Sequence, residues 1–278
     1  MKLLLVLLII CVIYLWLIHP RLSRQERQHC RRLARNHFAH RGLHDRRAGI
    51  PENSMAAFRR AVEAGYGIEL DVHLTADGHL VVFHDESLRR MCGVDGEVEE
   101  CTLSQLEPLR LAGTGSGIPL LSSVLEMVDG RVPLLIEMKL PGRDISLCPV
   151  LAGMLREYKG EYLIESFNPF GVRWFRRHCP GVPVGQLSAR YTPEDPNSGL
   201  LKFLSTTLLM NTVSRPDFVA YDCRFTDVLG LRFNRHLFRA PVFVWTIRTE
   251  EEYRRCAGRF DGIIFENIRP AQNHAEFG

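Results

Sequence analysis

Lysine is nearly missing from this 278-residue chain. Lys2, Lys139, Lys159 and Lys202 are its only four, although arginine lifts the basic total to 35. A lysine that falls at a buried strand end is therefore hard to treat as background. Paired cysteines are missing too. Cys11, Cys30, Cys92, Cys101, Cys148, Cys179, Cys223 and Cys256 include no C-x-x-C spacing, which excludes the common zinc patterns and fits scattered reduced thiols better than a disulfide framework. No self-similarity at a period of about 20 to 50 residues is present, so a solenoid is excluded. A net basic charge is absent from most of the chain. With Lys2, the six arginines of residues 21–35 and Glu26 set aside, the overall +3 becomes −3 from residue 36 onward. A domain of net negative charge is no electrostatic trap for nucleic acid.

One long apolar run is present, Leu3 to Ile18 (LLLVLLIICVIYLWLI), closed by His19-Pro20, which stops a helix. Sixteen residues give roughly 24 Å of helix, a little short of a ~30 Å hydrocarbon core, and Lys2 can snorkel. No small-x-small cleavage site follows, and the strong basic flank lies downstream. Both features favour a retained transmembrane anchor over residues 1–20 rather than a signal peptide. Arg21, Arg24, Arg27, Arg31, Arg32 and Arg35 then make residues 21–35 a basic juxtamembrane linker. The positive-inside rule puts the large domain, residues 36–278, on the cytoplasmic side of a single-pass membrane protein, with these arginines against anionic head groups.

From Asn36 onward eight short apolar segments alternate with amphipathic ones. The strand-like segments are 37–40, 67–72, 132–138, 162–166, 182–187, 217–221, 242–247 and 262–265. The helix-like segments are 54–64, 120–128, 148–157, 169–178, 200–212, 225–237 and 249–256. Strand and helix taken eight times in turn predict an α/β fold, a closed (β/α)8 barrel with its site at the carboxyl ends of the strands. The rhythm breaks once. Residues 80–83 read as an extra strand after Asp77-Gly78, and about 86–119 form an insertion too long for a simple loop, of the kind that shapes substrate access.

Polar residues gather at the predicted strand ends. Glu69 and Asp71 are two apart on one strand, so both carboxylates leave the same face. Glu137 and Lys139 repeat that spacing on the next parallel strand. Three carboxylates suit an oxygen-seeking divalent ion, Mg²⁺ or Ca²⁺, rather than zinc. Such an ion would polarise a phosphoryl oxygen, with Arg41 and Lys139 binding the phosphate. His40 and His84 each follow a strand and can divide the proton work, one imidazole serving the attacking hydroxyl or water and the other the leaving alkoxide. The chemistry that needs this set is phosphodiester cleavage.

The motifs His40-Arg41-Gly42, Pro51-Glu52-Asn53-Ser54, Glu69-Leu70-Asp71-Val72, His84-Asp85, Glu137-Met138-Lys139, Ser166-Phe167-Asn168, Trp245-Thr246 and Asp261-Gly262-Ile263-Ile264 occur in this order over residues 37–270. Together they resemble the glycerophosphodiester phosphodiesterase family. That resemblance implies a TIM-barrel hydrolase of glycerophospholipid metabolism, which cleaves glycerophosphodiesters to sn-glycerol 3-phosphate and an alcohol. It implies a divalent metal on Glu69, Asp71 and Glu137 with Glu52 close to it, His40 and His84 as the acid/base pair, Arg41 and Lys139 on the phosphate, and Phe167 and Trp245 as walls of the substrate pocket. It leaves open whether a glycerol hydroxyl attacks first, through a cyclic phosphate, or water attacks directly. Three positions depart from the family pattern: Ser54, which keeps a hydroxyl N-cap, Arg248, and Glu266 within Phe265-Glu266-Asn267. The alternatives to this function are lysophospholipase D-type hydrolysis of membrane lysolipids on the same barrel, and a non-catalytic membrane-bound binding protein. The oligomeric state is not legible in the sequence.

Overall fold

A computed structural model describes residues 2–21, 23–191 and 199–271. Eight parallel strands close into a barrel: β1 (Phe38–Ala39), β2 (Gly67–Leu74), β4 (Leu134–Met138), β5 (Tyr162–Ser166), β6 (Val184–Ser188), β7 (Phe218–Asp222), β8 (Val242–Ile247) and β9 (Gly262–Phe265), with β9 returning to pair with β1. This is the TIM-barrel arrangement, and its strands fall where the apolar segments predicted them. β3 (Leu80–Val82) runs antiparallel to the outer half of β2, as the extra strand was expected to do.

The helices between strands are α3 (Met55–Glu63), α6 (Leu121–Val128), α7 (Leu147–Glu157), α8 (Pro169–His178), α9 (Gly199–Thr206), α10 (Asn211–Ser214), α11 (Leu229–Arg232) and α12 (Glu250–Cys256). Ser54 caps α3 by accepting from the Ala57 N–H. The single helix expected over 200–212 is broken into α9 and α10, because Leu208 adopts a left-handed φ of 61°. The helix expected over 225–237 shrinks to α11 followed by a π-turn, Phe233–Leu237. The insertion carries α4 (Arg89–Cys92) and α5 (Leu103–Leu106) over a small apolar core of its own, built on Val81, Phe83, Val98 and Leu106.

The barrel has two apolar compartments. Outward-facing strand residues pack under the helices. Inward residues Phe38, Leu135, Leu163, Phe218 and Phe243 fill the lower lumen, closed from below by Cys30, Leu33 and Ala34 of α2 (Arg24–Ala34). Gly185 and Gly262 leave room for this layer, since a Cβ there would lie 2.2 and 2.3 Å from the rings of Phe218 and Phe243.

The amino-terminal region departs from expectation. Among the described residues no helix is long and apolar enough to cross a membrane. α1 (Lys2–Ile18) has 17 residues, which rise roughly 25 Å against a hydrocarbon core of ~30 Å. Its last turn is part of the barrel: Ile18 is fully buried, and its carbonyl accepts from Asn211 and Asn234 at 3.0 and 3.3 Å. The expected span is thus replaced by an apolar helix with its base built into the domain. The arginines after it lie under the barrel. Arg21 faces Asp217 at 3.7 Å, Arg27 donates to the Phe238 carbonyl, Arg31 pairs with Asp261 at 3.0 Å and Arg32 with Glu161.

Candidate active site

The chain turns sharply where β1 ends. Arg41 and Gly42 take left-handed φ values of 56° and 80°. At Gly42 a Cβ would lie 2.9 Å from both Ala57 and Phe58, so only glycine lets the turn sit this close to α3. The strained conformation of Arg41 aims its backbone N–H at Glu69 Oε2, 2.8 Å away, while its guanidinium reaches Glu52 at 2.7 Å and Asp71 at 3.5 Å.

Register does the rest. Asp71 pairs laterally with Glu137, and Glu137 with Glu165, so three carboxylates stand at one level on adjacent strands. Glu69, Asp71 and Glu137 are buried, and each offers an oxygen within 4.8 Å of the others. Lys139 Nζ bridges Asp71 Oδ1 at 2.8 Å and Glu137 Oε1 at 2.7 Å, and Asn53 donates to Asp71 at 2.8 Å.

Burial and then the charges of Asp71 and Glu137 push the Glu69 carboxyl well above its usual range. Burial raises Glu137 as well, against the pull of Lys139. Asp71 moves the other way: burial opposes its ionisation, but Lys139, His84 and Arg41 hold it well below the ordinary value. Negative charge crowded into a dry site with too few cations, offered only by oxygen donors, is what a hard divalent ion relieves. The residues present therefore fit such an ion.

The two histidines flank this cluster and are held alike. His40 Nδ1 lies 3.1 Å from Glu266 Oε2, and His84 Nδ1 lies 2.6 Å from Asp85 Oδ1. Each carboxylate is ion-paired from behind, Glu266 by Arg248 at 3.0 Å and Asp85 by Arg90, which also reaches Glu52 at 2.7 Å. Burial would raise Glu266, but the hydrogen bond to His40 brings it down to about 2. An ionised carboxylate only accepts, so the His40 Nδ1 donates and its Nε2 lone pair is left for the site. Desolvation lowers His40 to about 4, which keeps it neutral near pH 7.

A cavity of about 50 Å³ is lined by His40, His84, Glu69, Glu137, Phe167 and Trp245, among others. The two rings meet edge to face at 5.7 Å. A wider groove of about 850 Å³ opens beside it, between Glu52, Glu266, His44 and the insertion residues Arg90 and Gly113. Every site residue expected from the sequence thus converges on the carboxyl rim. Three participants were missed. Glu165 lines the same cavity, with Oε2 buried and unpartnered. It stands on β5 two residues before Phe167, and the same-face strand spacing applied to Glu69 and Asp71 would have found it. Asp85 and Glu266 were visible as residues, but not as partners of the histidines.

The Glycerophosphoryl diester phosphodiesterase family model matches residues 40–269. The chain belongs to this family. It is 34% identical over 247 residues to a glycerophosphodiester phosphodiesterase of Caldanaerobacter subterraneus, covering 83% of this chain and 93% of that one. A lysophospholipase D of Rattus norvegicus is 32% identical over 54% of this chain and 49% of its own. The crystal structure of a glycerophosphodiester phosphodiesterase from Thermotoga maritima superposes with a TM-score of 0.62 at 27% identity, covering 82% of this chain and 92% of that one. The expected family and barrel are thereby established.

Proposed function

We propose that the chain hydrolyses glycerophosphodiesters to sn-glycerol 3-phosphate and an alcohol, with Glu69, Asp71 and Glu137 holding a divalent ion. The observation that carries this reading is the three-carboxylate cluster flanked by two histidines, each fixed through Nδ1. The ion supplies charge to the phosphoryl oxygen when bound. Arg41, which lines the cavity, and Lys139, beside Asp71 and Glu137, would offset the charge on the remaining phosphate oxygens. His40, neutral and with Nε2 open, takes the proton of the attacking hydroxyl, and His84 returns one to the departing alkoxide. Attack by a glycerol hydroxyl and attack by water need the same residues. Trp245 Nε1 and Glu165 Oε2 are buried without a protein partner at the cavity, one a donor and one an acceptor, which suits glycerol hydroxyls.

The test is a head-group panel assayed after chelation. Turnover of glycerophosphocholine falls to background and returns on adding Mg²⁺ or Ca²⁺, and the ion that restores it first identifies the cofactor. Release of glycerol 3-phosphate at the full rate in chelator would remove the metal from the scheme.

Glu266 is assigned as a positioning residue. Its carboxylate raises His40 against the lowering effect of burial. For Glu266→Gln we expect turnover to fall about 10- to 100-fold. The acid limb of the kcat/KM profile, set by His40, should move to lower pH. A rate loss with that limb unmoved would leave Glu266 a purely structural role.

A lysolipid substrate is the second reading. It is favoured by the 850 Å³ groove, by the apolar α1 and by the similarity to a lysophospholipase D. On this reading α1 brings the enzyme to a membrane, with the barrel on its cytoplasmic side.

A further inference from the structure

α1 climbs the outside of the barrel in a direction that its contacts fix. Arg21 N–H donates to the Pro216 carbonyl at 2.8 Å, just below the start of β7. One turn up, Ile18 meets Asn211 and Asn234. Another turn up, the Tyr14 hydroxyl donates to the Thr207 carbonyl at 3.0 Å and sits where a Cβ on Gly230 would be 2.8 Å away. That level is close to the catalytic rim. Ser205 bonds to both backbone groups of Ala189, the residue after β6, and the Tyr221 hydroxyl near the end of β7 donates to Thr206. Residues 2–13 continue upward from Tyr14 by roughly 18 Å. Leu3 to Ile10, Val12 and Ile13 are 49 to 73% exposed, and the segment is apolar on every side of the helix rather than along one stripe.

The first turn of α9 precedes Ser205 on the same rim and exposes Leu200, Leu201 and Phe203; Leu229, exposed at the start of α11, adjoins Gly230, where a Cβ would lie 2.8 Å from the Thr207 carbonyl just after α9. Arg190, just past β6, is exposed at the edge of this patch with its guanidinium over Phe225. A helix apolar on all sides is covered either by a protein core or by hydrocarbon, and this one projects away from the core of its own domain; a phosphate-bearing surface suits the cation at the edge of the patch.

We infer that α1 enters a lipid bilayer tip first and that Leu200, Leu201, Phe203 and Leu229 meet the same surface, so that the mouth of the active site faces the lipid. This inference rests on the reading that the rim holds the active site. It places Arg21 to Arg35 at the far end of the barrel, away from head groups, opposite to what the basic flank suggested in the sequence.

Hydrogen–deuterium exchange of the full chain, with and without vesicles of phosphatidylcholine and phosphatidylglycerol, reads the orientation directly. Vesicles should slow exchange in residues 200–204 and 229–231, and leave the opposite-end turns at 129–131 and 158–161 unchanged. In parallel, the double variant Leu200→Asp, Phe203→Asp should lower hydrolysis of vesicle-borne lysophosphatidylcholine by roughly tenfold or more, while hydrolysis of soluble glycerophosphocholine stays within about twofold. Protection at the opposite-end turns, protection confined to α1, or no vesicle-dependent protection would each overturn the orientation. Loss of glycerophosphocholine turnover in the unmodified chain would instead count against the hydrolase reading, leaving the exchange result interpretable.

Discussion

His84→Ala should cut glycerophosphocholine turnover by roughly 10²- to 10⁴-fold, with the circular dichroism spectrum and melting temperature close to those of the parent. His84 stands just beyond β3, and its side chain is about one-third exposed (32%), so truncation opens no cavity in the core. What it removes is an imidazole fixed through Nδ1 by Asp85, itself held by Arg90, with Nε2 at the cavity. His40→Ala should do the same to the rate for the mirror reason, since Glu266 and Arg248 hold His40. Its effect on stability differs in sign from that of an ordinary surface histidine. His40 falls from its free value to about 4 in the folded chain, so the unfolded chain binds the extra proton between roughly pH 4 and 6.5. His40 therefore weakens the fold progressively as pH drops through that window, and His40→Ala should narrow the gap between melting temperatures at pH 7 and pH 5. Near-normal turnover in His84→Ala would end the two-imidazole scheme.

The sequence carried the barrel because each strand is short, apolar and bounded, and because the inward acidic residues break that pattern at one end only. Glu69 and Asp71 could be assigned to one face from the two-residue strand period, and Glu137 to the same rim once a parallel barrel was expected. What local pattern cannot carry is long-range pairing. Glu266 lies 226 residues from His40, and nothing near either residue announces the other. α2 was taken as a basic flank because its arginines dominate its composition. Yet Cys30, Leu33 and Ala34 form a narrow i, i+3, i+4 stripe that seals the barrel, and the charged majority reaches around it to Asp261 and Glu161. The break between α9 and α10 was invisible because it turns on a leucine in a conformation that leucine rarely adopts. The apolar run of α1 was legible as apolar, but not as anchored by Asn211 and Asn234.

Glu69→Gln should separate stability from activity, raising the first and abolishing the second. In the metal-free chain, the Glu69 carboxyl is destabilised by burial and by its neighbours Asp71 and Glu137. Glutamine keeps the shape and can still accept from the Arg41 N–H, but it brings no charge to the crowd. The metal-free melting temperature should therefore rise by a few degrees, because a buried carboxyl that is costly to ionise is replaced by a neutral group of the same shape. The unmodified chain should gain stability on adding Mg²⁺ or Ca²⁺, by mass action on the folded state alone, and the variant should lose most of that gain with its rate. Protons and the ion compete for the same oxygens, so ion affinity in the unmodified chain must climb as pH rises through the raised range of Glu69 and Glu137. Calorimetric titration at two pH values measures that slope. A metal-induced stabilisation retained in full by Glu69→Gln would place the ion elsewhere. A lower metal-free melting temperature would show that the Glu69 carboxyl stabilises the metal-free site rather than being held there in repulsion until a cation arrives.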